Sequence, residues 1–118
     1  MFGAVLVTRE LLFATRLREG AVRAGLPIAR VDEPSQLPPP SSVRLALIDW
    51  GERRPGWPAA LRDWWERAPE EGRPRIILFG PHTDLEAHAA ARAAGLGPMW
   101  ARSKLLADLD RVFADALK

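Results

Sequence analysis

The chain has 118 residues, of which 47% are apolar and 27% charged, and its formal net charge is +2. That balance fits one folded domain, residues 1–118, with one core; it excludes an intrinsically disordered chain and is too short for two full domains. There is no Cys, which excludes disulfides, thiolate metal sites and cysteine nucleophiles, and no apolar run of about 18 residues that could span a bilayer.

Phe2–Val7 is a short apolar run that fits a first buried strand. It has no basic leader and no cleavage site, so no signal peptide is expected and a cytoplasmic location is the default. Thr8 is a candidate cap for the next helix, with Glu10 in its first turn. Phe13, Leu17, Gly20, Ala21 and Ala24 recur at helical spacing, and Gly25 suits the position just past the helix end. Pro27–Val31 reads as a second strand near a sheet edge, because Pro27 lacks a donor. Asp32–Ser42, with Pro38, Pro39 and Pro40 in succession, leaves room for a loop or a single turn and for no crossover helix.

Val43–Gly51 is the central stretch. Leu45 to Ile48 is continuously apolar, the habit of a parallel strand buried on both faces, and it breaks at Asp49. A carboxylate there lies where open α/β sheets form their ligand crevice. A turn-rich loop follows, and Pro58 suits the first residue of a helix striped by Leu61, Trp64, Trp65 and Ala68. Arg75–Phe79 is a fourth strand. Thr83-Asp84-Leu85-Glu86 reads as a capping box that opens a helix running to Gly95. Pro98–Ala101 is a fifth strand, and Ser103 caps a last helix carrying Leu105, Leu106, Leu109, Val112, Phe113 and Leu117.

Strand and helix alternate five times, with the second helix reduced to a loop. The expected fold is therefore α/β, a flavodoxin-like doubly wound sheet of five parallel strands in the order 2-1-3-4-5. Fifteen of the 17 basic residues are Arg, but they are interleaved with acids along the chain. Solvated helix faces are the simpler reading than a nucleic-acid patch, so neither nucleic acid nor membrane is expected as a partner.

In length, element order and key positions the chain resembles the receiver domain of bacterial response regulators. Leu47-Ile48-Asp49-Trp50 is similar to the family's third strand with its phospho-accepting aspartate. Ala93-Ala94-Gly95-Leu96-Gly97 resembles the small-residue turn before the fifth strand, and Ala101-Arg102-Ser103 falls where the family carries Lys-Pro. The departures are as informative. The resemblance implies an acidic pair after the first strand, to hold magnesium with the phospho-acceptor; here those positions are Thr8 and Arg9. The family's lysine is Arg102, its Thr or Ser after the fourth strand is Gly80, and its aromatic switch position is Met99, next to Trp100.

Phosphoryl transfer to a carboxylate needs a divalent cation, and magnesium is commonly held through carboxylate oxygens. One carboxylate beside guanidinium groups is a poor magnesium site, so no catalytic residue, metal or cofactor is expected. The expectation is that Arg9, Arg102 or both pair with Asp49, the strong geometry being an end-on fork. The simpler alternative has Asp49 capping the next turn or facing solvent. The resulting reading is a stand-alone degenerate receiver, not an enzyme, that acts through protein contacts.

Two other readings stay open: an active receiver phosphorylated on Asp49, and a small-anion or nucleotide binder using Arg9, Arg102 and His82. His82 and His88 lie six apart and off one helical face, which argues against a paired metal site. Receivers pair through their fourth helix, fifth strand and fifth helix. Here that face would carry Arg92, Trp100, Lys104, Asp108 and Arg111, a charge mixture suited to a homodimer or a protein partner. Trp50, Trp57, Trp64 and Trp65 fit either an interface or the closing of a core where a helix is missing.

Overall fold

The two longest apolar runs become neighbouring strands. The structure, a computed structural model, describes residues 2–118. Strands β1 (Phe2–Val7) and β3 (Val43–Asp49) lie side by side, β3 at the centre of the sheet. β2 (Ile28–Val31), β4 (Arg75–Gly80) and β5 (Met99–Ala101) complete it. All pairings are parallel and the order is 2-1-3-4-5, the order the alternation of five strands with helices favours.

Helix α1 (Leu11–Ala24) and helix α5 (Leu109–Ala116) cover one face, where Phe13, Leu17 and Phe113 pack on Leu6, Leu47 and Phe79. Helices α2 (Trp57–Glu66) and α3 (Leu85–Ala94) cover the other, where Leu61, Trp64, Ala87 and Ala91 meet Val5, Ile48 and Leu78. Both faces of β3 are thus buried from Leu45 on, which is why Leu45 to Ile48 is apolar without alternation. β2 is one of the two edge strands, half-buried along its length, and the Pro27 carbonyl before it accepts from the Ala4 N–H at 2.9 Å.

Asp32–Ser42 holds two short 3-10 turns, Pro34–Gln36 and Pro40–Ser42, and no crossover helix. Trp64 Nε1 donates to the Pro38 carbonyl at 2.7 Å, so α2 holds the proline segment against the sheet. Trp50, Trp57 and Trp64 are all buried on this face, and Trp65 is half-buried. Of these, Trp64 meets the proline segment that stands in place of the second helix, while Trp50 Nε1 donates to Ala87 of α3 and Trp65 Nε1 to Pro74 before β4.

Several ends differ from the sequence expectation. Glu10, not Thr8, caps α1, accepting from the N–H groups of Leu12 and Phe13. The Thr8 hydroxyl is engaged elsewhere. Asp84, not Thr83, caps α3 through the Ala87 N–H, and α2 starts at Trp57, one residue before Pro58. Ser103 caps nothing: helix α4 (Arg102–Ala107) begins directly after β5 at Ala101. The last helix is also two helices, because Asp108 leaves helical geometry at φ −100°, ψ 8°. Gly25 and Gly95, at φ 74° and 69°, close α1 and α3 in the left-handed region, where a Cβ is costly.

No helix among the described residues is long and apolar enough to cross a membrane.

Candidate functional site

Register builds the site before any side chain is considered. Val7 of β1 is opposite Ile48 of β3, so the next residues, Thr8 and Asp49, emerge side by side at the carboxyl end of the sheet. Two strands away, Gly80 is opposite Ala101, so Arg102 leaves the sheet at the same end. Thr8 and Asp49 are both 0% exposed, and they are the buried polar residues of the core.

The Thr8 hydroxyl donates to Asp49 Oδ2 at 2.7 Å and accepts from the Glu10 N–H at 3.1 Å. Arg102 Nη2 donates to both Asp49 oxygens, each at 3.3 Å. A charge-assisted N–H···O bond is usually about 2.7–2.9 Å, and a guanidinium fork uses two nitrogens. The pair is therefore long and shared from one nitrogen, not the expected end-on fork. The rest of the guanidinium lies over the Phe13 ring, 5.4 Å from its centroid.

Arg9 does not reach Asp49. Its side chain is half exposed and turns to Glu33, 3.7 Å away, while its backbone N–H donates to Glu52 at 2.9 Å. Glu52 lies in the turn Trp50–Glu52 directly after Asp49, so this bond ties the ends of β1 and β3 together. Sequence reasoning missed Glu52, whose only signal is an acid three residues after the strand-end carboxylate. It also missed Arg30, which donates to the Thr8 carbonyl at 2.9 Å and pairs with Asp32. That pairing holds the Asp32 carboxyl below its ordinary value.

Gly80 offers no binding group, and its missing side chain is a packing requirement. A Cβ there would stand 2.9 Å from Met99 Sδ and 3.2 Å from the Gly51 nitrogen. His82 is exposed, and its carbonyl lies 2.9 Å from His88 Nε2. Lys104 lies 4.4 Å from the Trp100 ring centroid and pairs with Asp108 at 3.2 Å, while Arg92 and Arg111 are exposed on α3 and α5.

Comparison with family models, with characterised proteins and with solved structures finds no match. Burial is the largest influence on Asp49 and pushes its carboxyl above the ordinary value; the Thr8 hydrogen bond opposes this, nearby Glu52 adds to it, and Arg102 opposes it. Neither partner fully offsets the loss of water around the carboxylate.

The sign of the pH dependence follows. The folded chain holds the Asp49 proton to higher pH than the unfolded chain, so this group's contribution to stability falls as pH rises from 3.8 through the raised value. Asp49→Asn removes that dependence. Thermal unfolding of both proteins from about pH 3 to about pH 8 should show the variant gaining on wild type through that window, after which the difference between them stays constant. A difference that moves against the variant as pH rises would contradict the assignment.

The residues present do not fit magnesium. Among the described residues no group of three or more His, Cys, Asp or Glu side chains is placed to hold a metal ion. A guanidinium and a hydroxyl already donate to the Asp49 oxygens that a cation would need.

Proposed function

We propose that this chain is a degenerate receiver-like module that acts through protein contacts and not through metal-dependent phosphotransfer. The observation that carries the reading is the enclosed Asp49 carboxylate, with Thr8 on one oxygen and Arg102 on both. A carboxylate nucleophile needs a free oxygen facing solvent and a cation beside the incoming phosphoryl group. Asp49 is fully buried, and its nearest charge is a side chain of its own protein. The parallel sheet with its strand-end carboxylate supports the scaffold half of the reading, and the residues at Thr8, Arg9, Gly80 and Arg102 support the loss of chemistry. Fold alone does not license a function, so the weight rests on these residues.

For the contact surface, α3, β5 and the α4–α5 segment are the favoured face, through Arg92, Trp100, Lys104, Asp108 and Arg111. A cytoplasmic setting accompanies this reading. The experiment is an amide NMR titration with beryllofluoride and millimolar magnesium. The expected spectrum is unchanged at Thr8, Asp49, Trp50 and Arg102. Saturable shifts clustered there would instead establish an active receiver phosphorylated on Asp49.

A further inference from the structure

The opposite end of the sheet carries a second concavity. It lies where β3 and β4 begin and α5 ends, and its volume is about 350 Å³. The floor is apolar, from Val43, Leu45 and Val112. The walls carry the side chains of Arg44, Arg73, Arg75 and Lys118 against one acidic side chain, Asp115. Lys118 Nζ lies 3.5 Å from Asp115 Oδ1, so those two charges offset each other. Among the described residues the three arginines form no ion pair.

The last carbonyls of α5 point toward this end and would repel an anion, but they are covered. Leu117 N–H donates to Ala114, Lys118 N–H to Asp115, and Arg44 reaches the Ala116 carbonyl at 3.3 Å. Arg73 stacks over Trp65 at 4.5 Å and uses Nε on the Ala68 carbonyl, so among the described residues its terminal nitrogens have no protein partner. Arg75 is held 5.8 Å from the Trp100 ring centroid and makes no side-chain hydrogen bond to any described residue. Arg73 and Arg75 thus flank the cleft from its two sides without an acidic partner, and guanidinium groups around an apolar floor suit a phosphate carried on an organic body, because a fork fits phosphate oxygens and the floor covers carbon. The volume is at the low end of small-molecule sites, about 300–1,000 Å³.

We propose that this cleft binds a small organic phosphate, with Arg73 and Arg75 on the phosphate and Val43, Leu45 and Val112 under the body. The site is separate from the Asp49 crevice and does not depend on the receiver-like reading. The test is an amide NMR titration at low salt with two probes, AMP and inorganic phosphate. AMP should give saturable shifts confined to residues 41–45, 72–75 and 112–116, and it should bind about tenfold more tightly than inorganic phosphate. Arg73→Gln with Arg75→Gln should weaken AMP by about tenfold or more, since each removed charge-assisted bond has a large effect. Arg16→Gln, exposed on α1 and outside the cleft, should leave it unchanged. Should the double Gln variant fail to fold, Arg73→Lys with Arg75→Lys keeps charge, removes the fork and should still weaken AMP. No saturable shift, equal affinity for the two probes, or undiminished binding in a folded variant would overturn the proposal.

Discussion

Replacing Arg102 with Ala is expected to destabilise the protein by about 2 kcal/mol at neutral pH, a fall of about 8 °C in Tm. The substitution removes the cation bonded to a carboxylate that is 0% exposed. Breaking a fully buried pair costs about 3–5 kcal/mol. The smaller figure applies because Arg102 is itself 38% exposed and its bonds are long. Asp49 then answers by holding its proton to still higher pH, so the deficit should fade as pH drops below the carboxyl's raised value. The decisive measurement is a double-mutant cycle with Asp49→Asn, read by urea unfolding. In the Asp49→Asn background the Arg102→Ala cost should nearly vanish. An undiminished cost in that background would mean that Arg102 acts through Phe13 packing and not through the carboxylate.

The second large effect is at the residue after Asp49. Trp50→Ala should cost about 3–5 kcal/mol, because a fully buried aromatic leaves a cavity that the surroundings only partly refill. Trp50 Nε1 donates to the Ala87 carbonyl of α3 at 3.0 Å, and Arg53 lies 5.6 Å from its ring centroid. The side chain therefore fastens the turn after β3 to the helix on one face of the sheet. Trp50→Phe keeps most of the volume and loses the donor, so its cost should be about 1 kcal/mol. Measured by denaturant midpoint, a Phe variant as unstable as the Ala variant would show that the hydrogen bond, not the filled volume, dominates.

The two effects share a cause. The carboxyl end of the sheet is held by contacts between residues far apart in the chain: Thr8 to Asp49, Arg9 to Glu52, Trp50 to Ala87 and Arg102 to Asp49. Such contacts fix the Asp49 carboxylate within the fold.

Periodicity and turn chemistry carried the architecture. The apolar runs of β1, β3 and β4 gave their place in a two-sided sheet, because only a strand buried on both faces dispenses with polar alternation. Gly25 and Gly95 marked two helix ends through the backbone conformation they alone adopt at low cost. The triple proline ruled out a second crossover helix.

Tertiary structure decided the rest. Thr8 looked like a cap from its neighbours in sequence, yet its hydroxyl is claimed by a carboxylate 41 residues away. Arg9 and Arg102 were equivalent candidates on paper. Register and reach separated them, since Arg9 turns outward to Glu33 while Arg102 emerges beside the crevice over Phe13. Helix period could not say that Trp50 is buried, that Asp108 interrupts the last helix, or that Arg73 and Arg75 flank one cleft. A linear sequence records local backbone preference and burial pattern, whereas which partner satisfies a polar group depends on distances fixed only when the strands pair.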